Sequence, residues 1–170
     1  LKFHLPSSSS LMLYSSLILP YLNYGILTWG NTQITLLDKL LLLQKKVLRI
    51  IFDMAQRSHT NLLFLDNSIL KVKDLYLFHL GQFLYKYKNN TLPAIFDKMF
   101  LTNQLVHKYP TRHSGEFHLP LLRTLLAQNT FIYNGPKFWN TLDDNIQNAT
   151  SFNLFKKKIK VLLLQSYKTH

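Results

Sequence analysis

Apolar residues along this chain fall into helical rhythm more than into any other. Leu36, Leu40, Leu43, Val47 and Ile50 recur at alternating steps of four and three, and Leu37, Leu41, Gln44, Leu48 and Ile51 repeat the rhythm one position later. The two rows make one broad apolar face and predict a helix from 36 to about 54. Thr35 and Asp38 have the spacing of a capping box at its start, and Lys39, Lys45, Lys46 and Arg49 share its remaining edge.

The other elements follow from the same pattern. Ser10 is placed to cap a first helix running to about Trp29, kinked or entered at Pro20 and stopped at Gly30-Asn31. Residues 67–71 begin a further amphipathic region, and 74–88 read as helix, with Leu77, Leu80, Leu84 and Tyr87 on one face. Lys86 and Lys88 favour the C-terminal end of that helix, where the macrodipole favours cations, and Asn89-Asn90-Thr91-Leu92-Pro93 ends it. A shorter helix is expected over 94–101. From 103 to about 134 the periodicity fades, broken by Pro110, Gly115 and Pro120 with Pro136 beyond, and 131–139 leave helix, loop and short strand open. Ser151 then caps a last helix, with Phe152, Phe155, Ile159 and Leu162 in an apolar stripe and Lys156, Lys157 and Lys160 on the other side.

Composition sharpens the fold class. Only 5 Gly and 6 Pro punctuate 170 residues, too few for a many-stranded β protein, while 47% hydrophobic residues exclude compositional disorder. The expectation is a mainly α chain: an irregular helical bundle with basic amphipathic helices and a loop-rich stretch around 103–135. Its parts would be a helical region over 1–101, a loop-rich connection over 102–150 and a basic C-terminal helix and tail over 151–170, packed as one unit. Leu1 in place of Met reads as the start of a piece of a longer product. Lys2 before an apolar run gives a faint signal-peptide pattern, but four serines interrupt it and no small-residue cleavage site follows. The longest apolar stretch, 11–29, contains Pro20, Asn23 and several Ser or Thr, so no transmembrane segment is expected.

Charge points to partners. Lys and Arg number 20 against 8 Asp and Glu, a net charge of +12, which favours polyanions, nucleic acid first and anionic membrane second. Lys45, Lys46 and Arg49 on the second helix, Lys86 and Lys88 on the third, Lys156, Lys157 and Lys160 (with Lys158) on the last, and the loop residue Arg112 are the candidate nucleic-acid contacts. Each basic edge also has the plain reading of a solvated helix face. Tyr85 and Tyr87, beside Lys86 and Lys88, have the chemistry to stack on bases, but core packing is the favoured reading for them, as for Trp29 and Trp139.

Catalytic chemistry finds no footing. Cysteine is absent, which excludes thiol nucleophiles, disulfides and cysteine-based zinc sites, and an intracellular setting, nucleus or cytoplasm, fits that absence. Two-metal nucleotidyl transfer needs clustered carboxylates. Asp143-Asp144 is the one adjacent acidic pair, and its context reads as a helix cap or turn. His107, His113 and His118, with Glu116 nearby, match no zinc spacing. The glycines are isolated, so no phosphate loop exists, and neither catalytic residues nor a cofactor are expected in this chain.

Four islands, in order, carry a resemblance. The first is the apolar segment from Leu13-Tyr14 through Pro20-Tyr21-Leu22-Asn23-Tyr24-Gly25 to Trp29-Gly30, and the second is LLLLQKKVLRII over 40–51. The third joins Arg57-Ser58-His59-Thr60 to Leu70-Lys71-Val72-Lys73-Asp74-Leu75-Tyr76 and Phe83-Leu84-Tyr85-Lys86-Tyr87. The fourth comprises Thr111-Arg112, Asn134-Gly135-Pro136-Lys137-Phe138-Trp139-Asn140 and Phe155-Lys156-Lys157-Lys158. Across nearly its whole length the chain resembles the thumb and post-thumb region of LINE-type (non-LTR) retrotransposon reverse transcriptases, of the jockey, RTE or CR1-like kinds. It departs from their Trp-Asn-x-Leu-Pro-x-x-Ile tail, since Leu142 is followed by Asp143-Asp144-Asn145-Ile146. Losing that proline loosens a helix start without removing any chemistry.

The resemblance implies a non-catalytic, C-terminal part of an RNA-directed DNA polymerase that helps hold the template–primer duplex or the element RNA. Its partners would be RNA, DNA and the rest of the reverse transcriptase, with Mg²⁺ confined to a palm that this chain does not contain. The alternatives are a basic helical module that docks on a protein or an anionic membrane, and an inactive remnant of an element.

Overall fold

In the computed structural model, which describes residues 5–107 and 112–168, the chain is mainly α. Leu1, Lys2, Pro110 and Thr111, invoked above, lie outside the described residues. The order is α1 (Ser7–Leu13), a π-helical turn (Tyr14–Ile18), α2 (Leu19–Asn23), α3 (Ile26–Trp29), α4 (Ile34–Ile51), α5 (Asn61–Asp66) and α6 (Val72–Lys88). A 3₁₀ turn (Ala94–Phe96) follows, then α7 (Asn103–Val106), α8 (Leu125–Gln128), α9 (Phe131–Asn140), α10 (Asp144–Gln147) and α11 (Phe152–Gln165). Among the described residues the only β pairing is an isolated antiparallel bridge between Thr102 and Phe117. The chain divides into two compact units, one formed by Leu1–Tyr76 with Lys160–His170 and the other by Leu77–Ile159.

In the first unit the expected single helix over 10–29 is broken twice. The Ser15 and Ser16 hydroxyls donate to the Met12 carbonyl at 2.9 and 2.8 Å, competing with the backbone ladder, and the helix widens there into its π turn. Pro20 sits in the first turn of α2, where its missing N–H costs nothing. Gly25 then takes a left-handed conformation (φ 59°), closing α2 and letting α3 restart. Helix α4 begins at Ile34 and no side chain caps it. Asp38, assigned above to a capping box with Thr35, instead pairs with Lys73 at 2.7 Å. Its end at Ile51 follows from Asp53, whose positive φ (51°) turns the chain so that Met54 N–H reaches the Arg49 carbonyl at 2.9 Å. Only the Leu37, Gln44, Leu48 row of α4 is buried; the Leu36, Leu43, Ile50 row faces solvent.

Gln44 ties this unit together. Its Nε2 donates to Tyr14 Oη and to the Leu70 carbonyl, both at 2.9 Å, and its Oε1 accepts from Val72 N–H at 3.0 Å. One buried side chain thereby joins α4, the π turn and the start of α6. Helix α5, which the sequence pattern does not announce, plants the fully buried Phe64 and ends in a turn where Ser68 adopts positive φ.

The second unit is built on aromatic rings. Tyr85 stacks on Phe155 at 4.6 Å, Phe155 on Trp139 at 5.9 Å, and Trp139, Phe117, Phe100 and Tyr87 continue the series at 5.0–6.2 Å. Rings at such separations add to the stabilisation their buried area already gives. Asn140 uses its amide as a substitute strand: Nδ2 donates to the Phe117 carbonyl at 2.8 Å and Oδ1 accepts from Phe117 N–H at 3.1 Å. Pro136, counted above as a breaker, lies inside α9; it and Gly135 are buried, and a Cβ on Gly135 would sit 3.3 Å from Phe100. The packing outweighs the single ladder bond that proline removes. The helix expected over 94–101 shrinks to a 3₁₀ turn because Tyr87 Oη accepts from Phe100 N–H at 3.1 Å and donates to the Phe100 carbonyl at 2.8 Å, bending the chain there. Ser151 caps α11 as expected, accepting from Leu154 N–H at 3.2 Å.

Candidate nucleic-acid interface

The proposed contacts fall into both units, and each group is set by its own helix. In the second unit the C-terminal end of α6 and the first turns of α11 converge. Lys86 Nζ lies 4.9 Å from the centroid of the Phe152 ring and Lys156 Nζ lies 5.6 Å from it, while Lys88 Nζ lies 5.6 Å from the Trp139 ring. The lysine stems cover apolar rings, and the exposed Lys86 and Lys88 carry their charges at the surface. None of the three shares an ion pair with a carboxylate among the described residues. Burial, and then the positive charge of Lys156, push the His79 imidazole below its ordinary range, which disfavours its protonated form. Lys157 is exposed on the same helix. Lys158 is engaged elsewhere, donating to the Asn145 carbonyl at 2.7 Å and to its Oδ1 at 2.6 Å. Arg112 is exposed in the turn that precedes the Phe117 bridge.

In the first unit the α4 cations spread around the helix. Lys46 is exposed and Lys45 half-buried; Arg49 donates from Nε to the Ser58 carbonyl at 3.0 Å and so braces the loop after α4. Lys160 is half-buried. Lys71, not singled out by charge patterning, places its ammonium 4.0 Å from the Tyr167 ring. Burial lowers the Lys71 pKa, Asp74 partly offsets this, and Lys45 adds to it. Tyr167 Oη donates to the Asp74 carboxylate and accepts from Lys71 N–H at 3.0 Å. Burial raises Asp74 despite that donor, and burial with the Asp74 charge raises the Tyr167 hydroxyl. This cluster fastens the end of the chain to the start of α6; it offers no poised base.

The aromatics are packed, as the favoured reading of them expects. Tyr85 is buried and donates to the Ala149 carbonyl at 2.8 Å, and Tyr87 is held by Phe100. Trp139 is a core anchor, and the half-buried Trp29 donates to the Tyr24 carbonyl at 2.7 Å. Phe152 is the ring that sequence reasoning missed as a platform. Its spacing to Lys156, one helical turn, was the available signal; the approach of Lys86 is a tertiary event.

The acidic pair and the histidines are placed as follows. Asp143 and Asp144 are exposed, with Asp143 at the N-cap of α10. His113 Nδ1 is hydrogen-bonded to Glu116, His118 Nδ1 lies 3.3 Å from Asn103 Oδ1, and the His107 and His118 rings meet edge to face at 5.6 Å. No group of three or more His, Asp or Glu among the described residues is placed to hold a metal ion. A cavity of about 90 Å³ between Tyr87, Asn90, Leu92, Phe96 and Asp97 is too small for a nucleotide. No described helix is long and apolar enough to cross a membrane. Compared with family models, curated proteins and solved structures, the chain matches none of them.

Proposed function

We propose that this chain is a non-catalytic, nucleic-acid-holding part of a LINE-type RNA-directed DNA polymerase, acting inside the cell on a template–primer duplex or the element RNA. The observation that carries the binding half of this reading is the convergence of Lys86 and Lys156 on the Phe152 ring, with Lys88 beside them on Trp139. Cations packed on rings are pre-organised, so meeting a phosphate costs them less side-chain entropy than it costs a free lysine. The retrotransposon half rests on the four ordered islands of sequence. Binding of this kind follows the backbone and reads sequence weakly.

The test is a duplex-binding measurement on the full chain. Lys86→Glu with Lys156→Glu should weaken an RNA–DNA duplex by roughly tenfold or more at constant salt, with the helical circular-dichroism signal intact. Unchanged affinity in a folded variant would remove the proposed interface.

A further inference from the structure

Helix α4 carries two apolar faces, and the fold uses one of them. Leu37, Gln44 and Leu48 are buried, whereas Leu36, Leu43 and Ile50, each seven residues from the next, are 46, 60 and 49% exposed. Between them on the core side lie Leu40 and Val47, half-buried. The five alternate at steps of four and three, the spacing of a coiled-coil seam, with the exposed trio in its d positions. Lys39 and Lys46, both exposed, occupy the flanking g positions of that seam. Within α4 itself no carboxylate borders it: the helix's single acid, Asp38, lies across the helix and is paired with Lys73.

We propose that this face docks an amphipathic helix of another protein, one with apolar residues at heptad spacing and carboxylates along the side that meets Lys39 and Lys46. Charge selects this occupant. A second copy packed antiparallel would set Lys39 against Lys46 of its partner, a like-charge contact. Packed parallel, it would need the e positions, Leu37 and Gln44, which are already buried. A membrane-surface helix requires a continuous apolar face at least ~100° wide, whereas on α4 Lys39 and Lys46 stand between the exposed trio and Leu42, which is 62% exposed, and interrupt it. An acidic helix packed antiparallel, its carboxylates meeting Lys39 and Lys46, fits both the exposed trio and its basic border. The surface is distinct from the Lys86–Phe152–Lys156 convergence.

The experiment is fluorescence anisotropy of labelled three-heptad peptides with the full chain. One peptide carries Leu at a and d with Glu at e and g; its control carries Lys at e and g. The Glu peptide should bind saturably and about tenfold or more tighter than the Lys peptide. Leu43→Asp should lower that affinity by about tenfold or more without moving the thermal melt, since Leu43 is exposed. Lys39→Glu with Lys46→Glu should invert the preference between the peptides. Equal binding of both peptides, no binding, or indifference to Leu43→Asp overturns the proposal. So does self-association in sedimentation that Leu43→Asp abolishes, or capture by phosphatidylserine vesicles in place of the peptide. RNA–DNA duplex affinity, read in parallel, should not respond to Leu43→Asp, so failure here and failure of the nucleic-acid reading are separable.

Discussion

Gln44 interrupts an otherwise apolar row of α4, and three hydrogen bonds account for it: Tyr14 Oη, the Leu70 carbonyl and Val72 N–H all meet its amide. A leucine there would fit the pattern and leave those three groups without their partner. Gln44→Leu should therefore lower the unfolding free energy by about 3 kcal/mol or more, read from urea titration, because each orphaned buried group costs on the order of 1 kcal/mol or above. A loss below about 1 kcal/mol would mean that water or repacking satisfies them. Tyr76 is the opposite case. Its hydroxyl is buried with no hydrogen-bond partner among the described residues, and burial pushes its pKa up to about 12. Tyr76→Phe should be neutral or stabilising by up to about 1 kcal/mol, and a clear destabilisation would reveal a partner for the hydroxyl. Asp74 supplies a pH-dependent test. Burial raises its folded pKa above the ordinary 3.8, so the folded state holds a proton that the unfolded state releases first. That contribution to stability is present below the unfolded value and is lost as pH rises through the folded one. Asp74→Asn keeps an acceptor for the Tyr167 hydroxyl and does not titrate, so its stability relative to wild type should grow between pH 3 and pH 7. A difference that does not change with pH would contradict the assignment.

At the scale of elements, Gly81 lets α6 approach α11: a Cβ built there would lie 2.3 Å from Ile159 Cδ1, with Phe138 and Phe155 at 3.4 and 3.5 Å. Gly81→Ala gains up to about 1 kcal/mol of helix propensity, but it must move the terminal methyl of a fully buried isoleucine. We expect a net loss of about 1–2 kcal/mol in thermal or urea unfolding, recovered in good part by adding Ile159→Val, which shortens nothing but the offending branch. No recovery in the double variant would place the cost elsewhere. The same elements show what the sequence makes legible. Helices α4, α6 and α11 are long, periodic and correctly typed, since a repeating apolar face is a local property. What failed was decided by single residues or distant contacts: Asp53 turning left-handed ends α4 early, paired serines open the π turn, and Tyr87 bends the chain at Phe100. Helix α5 is six residues long, too short to show a period. The cations of the candidate site were readable as residue types at helix edges. That Lys86 and Lys156 share one ring, and that Arg49 is bound to the Ser58 carbonyl, depends on tertiary approach.

For the whole molecule the question is whether a net charge of +12 attracts polyanions diffusely or through particular cations. Salt separates the two. Each phosphate neutralised by direct contact releases condensed counterions, so log affinity falls linearly with log salt at about −0.9 per contact on a duplex. If about five phosphates are contacted, the slope should be about −4 to −5. Lys86→Glu with Lys156→Glu removes two contacts and should flatten it by about 2, whereas a charge-matched control at exposed residues outside the convergence, Lys98→Glu with Lys168→Glu, should leave it unchanged. Both double variants lower the net charge by the same amount, which makes the comparison independent of long-range attraction. Equal flattening in the two would assign the binding to bulk charge and leave the packed lysines as ordinary solvated side chains. A slope near zero in the wild type would exclude phosphate contact altogether. A selective loss at Lys86 and Lys156 would show that two helices, each with an unremarkable basic edge, become a binding surface only when Phe152 gathers their charges.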